Sequence, residues 1–500
     1  MLSSFPLYSH SPNNRLQGGE IIMGVITTKP LPFFFLTLLT TCLFPFTVTV
    51  HGGDDTHHRN HRMQAIRASI VLILVLVLMA AQAATASPRV YHVTSYGADP
   101  NGKEDSTDAI LKAITDALQG PSDGFLFNGI KNLGGARVDL DGGTYVVTRP
   151  LQFPVAGRGN LVIHGGSLKA SDDFPTDGYV IDLSAPAGNG SGSDYNFEYI
   201  TLRDLMVNSN FRGGGIQVVN SLRVNIDNCY ITHFSTNGIL VQGGHETYIR
   251  NSFLGQHITA GNDAGERNFS GTAIHLNGND NAVTDVVIFS ANIGIMVSGQ
   301  ANILTGVHCY NKATGFGGTG IYLKVPGLTQ TRIVNSYLDY TGIVAEDPVQ
   351  LHISGSFFLG DAFILFKSVN GMVNGVNVVD NMFSGGNKGV DIVQLDESGG
   401  AFKKIDQVMV DRNNVNGMNL KSTIARGSVQ GNGSSWTVDL NSVLLFPNFI
   451  KYVQYTFSPA TGNSFANHAL RNVSNNEVVV VSDVEIPASV FVMVDQGKSY

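Results

Sequence analysis

The 500 residues include 57 glycines and a single tryptophan, with 14% charged and 43% apolar residues, a composition that suits one large elongated array with appendages. The formal charge is −8; positions 1–86 hold five of the 31 basic and three of the 39 acidic residues, leaving 26 against 36 beyond them, a net of −10. That acidity argues against nucleic acid as a partner, whereas a polyanionic sugar still fits a cleft that is locally basic.

The first 86 residues lie outside the expected fold. LPFFFLTLLTTCLFPFTVTV (31–50) is interrupted by proline, and the His-rich HGGDDTHHRNHR (51–62) follows it. Met63 then opens a complete secretory signal over about 63–86: Arg67 is the basic flank, Ile70 to Ala81 the apolar run, and small residues lead to cleavage before Ser87. The run is too short for a comfortable membrane span, so no stable membrane insertion is expected. Everything upstream of Met63 reads as an extended gene product or an alternative start. Secretion leaves Cys229 and Cys309, three coils apart and read as buried small apolar residues, and four N-glycosylation sequons at Asn189, Asn268, Asn432 and Asn472.

VYHVTSYGAD (90–99) predicts a strand and turn, and EDSTDAILKAITDAL (104–118) an amphipathic helix with Asp105 or Ser106 as N-cap. Its apolar positions, Ile110 and Ile114 among them, are placed to cover the open end of a stack. GGARVDLDGGTYVVTRPLQFP (134–154) and GNLVIHGGSLKAS (159–171) read as the first strands.

From about 215 to 375 a rung recurs. Its openings are GIQVV (215), GILVQ (238), GTAIHL (271), GIMVS (294), GIYLK (320), GIVAE (342) and AFILF (362), each followed by a second apolar stretch. Repeats of this length, rich in Val, Ile, Gly and Asn, predict an all-β parallel β-helix over 87–425, with Gly and Asn turning the corners. In the second stretches one turn position reads Asn228, Asn251, Asp285, Gly306, Asn335 and Gly355, expected to form a ladder that satisfies buried backbone groups. After about 425 the pattern changes to alternating strands, a small antiparallel β-rich cap over 426–500. Trp436 alone is thin support for a carbohydrate platform there.

VTSYGADPNGKEDSTDAILKAI, GARVDLDGGTYVVTRPL and NLVIHGGSLKAS together resemble the opening of pectin lyase-like right-handed β-helix proteins. GERNFSGTAIHLNGNDNAVTDVVIFSANIGIMVSGQAN, VHCYNKATGFGGTGIYL, SYLDYTGIVAEDPVQLHISGSFFLGDAFIL and VVDNMFSGG are similar to one branch, the plant quartet-type polygalacturonases. The resemblance covers about 88–497. It implies a secreted endo-acting hydrolase of α-1,4-linked galacturonan in the cell wall, acting where pectin between pollen mother cell products is degraded; a monomer with no cofactor is expected. A calcium-dependent pectate lyase and a noncatalytic wall-binding protein are the alternatives.

The acids of ordinary polygalacturonases do not carry over. Arg212, Gly213, Gly214, Thr236, Asn237 and Ser270 stand where an Asn-Thr-Asp, an Asp-Asp and a Gly-His-Gly would be expected, and Asp172-Asp173 sits in an earlier turn. Glycoside hydrolysis still needs two carboxyl groups, roughly 6.5 to 9.5 Å apart for inversion and about 5 to 5.5 Å for retention. Asp263 and Glu266, in the longest insertion between rungs, are one candidate set, with Arg267 beside them to hold a uronate carboxylate. Asp339 and Asp361, near the openings of later rungs, are the second. Glu346 and Asp347, ahead of Pro348, end a strand; their plain reading is a charged turn, and Glu346 ranks behind Asp339 and Asp361 as a candidate acid. His245, His257 and His275 lack a tight metal-ligand spacing, so no metal site is expected.

Overall fold

A computed structural model describes residues 68–73, 75, 88–127, 129–186, 195–256, 270–310, 317–460 and 465–497. The chain divides into Met1–Ala86 and Ser87–Tyr500. In the first unit the described residues, 68–73 and 75, are helical, and the rest of the expected signal lies outside the described residues. No helix among the described residues is long and apolar enough to cross a membrane.

The second unit is a right-handed parallel β-helix. Ten strands form one parallel sheet in strict chain order: Leu151–Gln152, Tyr179–Leu183, Gly214–Val219, Asn237–His245, Ser270–Asn279, Ala291–Val297, Thr319–Leu323, Ile343–Glu346, Ile364–Lys367 and Val393–Asp396. The second stretch of each rung supplies two short strands, such as Asn225–Asp227 and Tyr230–Thr232, which join two further parallel rows. Alternate residues point inward: Ile239, Val241, Ile295, Val297, Ile321, Leu323, Ile333 and Ile353 are fully buried, one coil upon the next. This period-two burial is what a single coil cannot achieve alone.

The rung-opening glycines have a different reason than corner turning. Register aligns Gly215, Gly238, Ala273, Gly294, Gly320, Gly342 and Phe363, so the Gly271 and Ala362 openings lie off this column. The backbone of Gly238, Gly294 and Gly342 is not left-handed. Instead, a Cβ at Gly294 would stand 2.4 Å from the Gly320 carbonyl oxygen and 2.9 Å from Cys309 Sγ, so the column is small because the next coil's backbone comes close.

Left-handed backbone is found in the second stretches. Asn228, Asn251, Asp285, Gly306, Asn335 and Gly355 all have φ between 51° and 63°, a conformation that Asn, Asp and Gly tolerate best. The expected buried ladder sits one residue later. Asn228 itself is exposed, while the side chains of Ser252, Ser336, Ser356, Asn381 and Asn413 accept from the backbone N–H of Cys229, Val307, Ser336, Ser356 and Asn381 at 3.0–3.3 Å. The turn residue must reverse the chain and therefore faces out, so its inward successor meets the backbone of the preceding coil. Cys229 and Cys309 are free and buried, and burial pushes both thiols up to about 12.

The helix Thr107–Gln119 buries Ile110, Ala113, Ile114, Ala117 and Leu118 against the first strands, among them Lys131–Asp139. It begins at Thr107, directly after the expected N-cap Ser106, because Asn101–Asp105 is a strand pairing with Thr144–Val147. Ser106 is the N-cap residue, but its hydroxyl makes no cap bond and accepts from Asp99 N–H instead; Asp105 Oδ1 accepts from Thr107 N–H at 3.0 Å. At the other end, Ile424–Asp439, Tyr452–Pro459, His468–Ser474 and Glu477–Asp495 make an antiparallel sheet with its own core. Trp436 is 3% exposed in that core, which removes it as a platform for sugar.

Candidate active site

Four buried acids distinguish structural from available carboxylates. Glu198 accepts from Phe127 N–H and from Arg223. Asp347 accepts from the N–H groups of Val369, Asn370 and Met372. Asp361, left-handed at φ 65°, accepts from Gly386 N–H at 2.8 Å and pairs with Lys388 at 2.9 Å. Burial raises its proton affinity, but the Gly386 N–H and the Lys388 cation outweigh that and hold the carboxyl below its ordinary range. These three tie turns together through backbone amides.

Glu346 does not. It is 6% exposed and closes strand Ile343–Glu346, where Ile343 and Ala345 face the core, so Val344 and Glu346 face outward from the ten-stranded sheet. Its Oε1 accepts from Tyr322 OH at 2.6 Å and from Lys367 Nζ at 3.2 Å, one donor from each neighbouring strand. Among the described residues its Oε2 takes no hydrogen bond. The bond to Glu346 raises the Lys367 ammonium above its ordinary range, and burial first, then the same carboxylate, raises the Tyr322 phenol. A buried acid that ties no backbone amide, flanked by a cation and a hydroxyl, has the features of a functional carboxylate.

Register extends the site. Glu346 is level with Lys367, and Lys367 with Asp396. Two strand spacings separate the backbones of the two acids by roughly 9.6 Å, just above the carboxyl separation of an inverting pair and far above that of a retaining one. Ser398, through its side chain and then its N–H, lowers the Asp396 carboxyl. On the earlier strands the same outer face carries Asp182, Gln217 and His275. His275 Nε2 lies 3.1 Å from Ser298 Oγ, and burial, then the Lys324 charge, lowers its proton affinity. Asp182 is raised by burial, with Ser184 opposing, and its Oδ1 is buried with no hydrogen-bond partner. The result is a track across the sheet in which these polar residues alternate with the outward Leu240, Met296, Val344 and Leu365, with its most enclosed acid at Glu346.

The sequence model for rhamnogalacturonase A/epimerase, pectate lyase-like proteins matches residues 90–332. Polygalacturonase QRT3 of Arabidopsis thaliana is 65% identical over 452 residues, covering 89% of this chain and 93% of that protein. The chain belongs to the quartet-type plant polygalacturonase family. Two solved structures are similar in fold. PfbA, a surface adhesin of Streptococcus pneumoniae, has a TM-score of 0.48 and 12% identity over 79% of this chain and 99% of its own. An endo-xylogalacturonan hydrolase from Aspergillus tubingensis has a TM-score of 0.41 and 12% identity over 66% and 92%.

In this quartet-type chain the residues expected from sequence fall partly outside what the structure describes. Asp263, Glu266, Arg267, Asn189 and Asn268 lie outside the described residues. Asp339 ends strand Tyr337–Asp339 in another row, level with Tyr310 and Leu359, and Asp361 is the turn acid described above. Asn432 and Asn472 are exposed on the terminal sheet. Glu346 ends a strand, as expected, and Asp347 follows it in the turn, at φ 36°. Tyr322, Lys367, Asp396 and Asp182 were not singled out. The usable signal was the alternation within GIYLK, GIVAE and ILFK, which sends each terminal charge outward.

His92, Asp139 and Asp141 are close enough to hold a cation. Asp141, however, already accepts from the N–H and hydroxyl of Thr94 and lies 2.6 Å from His92, and Asp139 accepts from Asp141 N–H. These bonds lock a turn at the helix-covered end.

Proposed function

We propose that this protein is a secreted polygalacturonase that hydrolyses α-1,4-galacturonosidic bonds of cell-wall pectin on the outer face of its ten-stranded sheet. The observation that carries the reading is the 65% identity, spanning 93% of the relative, to a protein named polygalacturonase. Glu346 and Asp396 are the reacting carboxyl pair. One carboxyl of the pair donates a proton to the leaving oxygen and the other, as carboxylate, activates water from the opposite side. Their separation favours inversion. Lys367, between them in register, binds uronate carboxylate together with Lys324. Asp263, Glu266, Asp339 and Asp361 are the competing acids and Arg267 the competing uronate ligand. Endo action, a monomeric state, cleavage before Ser87 and glycans at Asn189, Asn268, Asn432 and Asn472 complete the proposal.

Purified protein beginning at Ser87 is expected to release reducing ends from demethylated pectin without the ultraviolet absorbance of an unsaturated product end. Appearance of that absorbance would make the protein a lyase. No product from the unmutated protein would favour the noncatalytic wall-binding alternative.

A further inference from the structure

A second polar groove lies around the turn from this track. Strands Arg332–Val334, His352–Ser354 and Met372–Val379 are neighbouring rungs of another row, and register sets Arg332 beside His352 and His352 beside Asn377. All three side chains face out, because Ile333, Ile353, Val376 and Val378 fill the core beneath. Gln330 and Gln350, just ahead of the first two strands, and Gly375, within the third, are left-handed with φ of 41°, 55° and 63°. Gln330 Nε2 donates to Gln350 Oε1 at 2.8 Å. The next position in that column has no side chain, and over it the surface sinks into a groove of about 640 Å³. It continues toward the terminal sheet as a second hollow of about 710 Å³ sharing Gln350, Gly375 and Asn377.

Charge singles out one residue. Arg250 and Arg412, exposed at other rungs of this row, pair with Asp227 and Asp380. Exposed Arg332 has no carboxylate partner among the described residues, on a chain whose formal charge is −8. A guanidinium without an internal partner is suited to a planar carboxylate. The flanking amides of Gln330, Gln350 and Asn377 both donate and accept, as sugar hydroxyls do. A single arginine is too little cationic charge for a nucleic acid backbone, and the polar lining does not suit an apolar peptide.

We infer that the Arg332–His352–Asn377 groove binds a uronate-bearing stretch of polysaccharide separately from the reacting track. The substrate class rests on the proposed function. A polymer engaging both faces gains effective concentration at the track, whereas a short oligomer does not.

The test measures kcat and KM for polygalacturonate and for trigalacturonate with the wild type, Arg332→Ala and Arg332→Lys. Losing a charge-assisted contact is expected to raise KM for the polymer about tenfold in Arg332→Ala, with kcat and the trimer KM unchanged and partial recovery in Arg332→Lys. Polymer KM within twofold of wild type overturns the inference, and so does an equal rise for polymer and trimer, which would place Arg332 in the reacting track. Migration in gels cast with polygalacturonate separates this from failure of the proposed function. An inactive wild type that is retarded, with Arg332→Ala less retarded, keeps the groove and removes the hydrolysis. A wild type that is not retarded removes the groove.

Discussion

Replacing Glu346 with Gln isolates the chemistry of the proposed site. The amide keeps the side chain's size and can still accept from Tyr322 OH and Lys367 Nζ, now 2.6 and 3.2 Å from Oε1, but it cannot deliver a proton. Proton transfer by a positioned group contributes about 10²–10⁴ in rate, or about 3 to 5 kcal/mol of barrier, so turnover should fall by that factor. The structural penalty is smaller: a charge-assisted hydrogen bond becomes a neutral one, a difference of about 1 kcal/mol. In a chain of this size that shifts Tm by roughly a degree or two. Initial rates of reducing-end release, paired with a thermal melt, read both. Asp396→Asn should match the loss, and Asp263→Asn, Glu266→Gln, Asp339→Asn and Asp361→Asn belong in the same panel. If Glu346→Gln turns over within threefold of wild type at an unchanged Tm, Glu346 is not one of the reacting acids and the site is elsewhere.

Burial raises the Asp182 carboxyl, so the native state holds a proton more tightly than the unfolded chain, and stability falls as pH rises from the unfolded to the folded pKa. Asp182→Asn should flatten that decline and raise Tm above the window; an unaltered Tm-versus-pH curve would show that the carboxyl does not titrate in the fold. Gly294→Ala puts a methyl group 2.4 Å from the Gly320 carbonyl oxygen, and overpacking of this kind costs about 1–3 kcal/mol. Equilibrium unfolding should show it, and a wild-type midpoint would mean the coils part without penalty. Replacing Ile110 and Ile114, each 1% exposed, with Asp removes about 1.5–3 kcal/mol of burial apiece and uncovers the first coil. Light scattering should report aggregation, and a soluble variant with unchanged melting would show the helix is dispensable as a cover.

Much of the fold was legible because its signals are local and repeated. The rungs, the helix over 107–119 and the strands beyond 424 each announce themselves through apolar spacing within a few residues. Even the left-handed turn column could be picked out, since Asn228, Asn251 and Asn335 recur at one place in their stretches. Its meaning could not. Whether a polar residue at a coil's corner faces out or in depends on a single-residue register, and the buried ladder of Ser252, Ser336, Ser356 and Asn381 is set by the coil beside it.

The site was still less legible. Asp361 and Glu346 both stand at rung boundaries in the chain, yet one is tied to the Gly386 N–H and Lys388 while the other meets Tyr322 and Lys367. Tyr322, Glu346, Lys367 and Asp396 are spread over 75 positions and come together only because four strands stack in register. The sequence by itself determined a stacked parallel solenoid and its family, since both follow from patterns that each rung carries within itself. Tertiary structure alone decided which acid is enclosed and unused by the backbone, because in a solenoid the neighbours that pair with a side chain lie one full coil away in the chain.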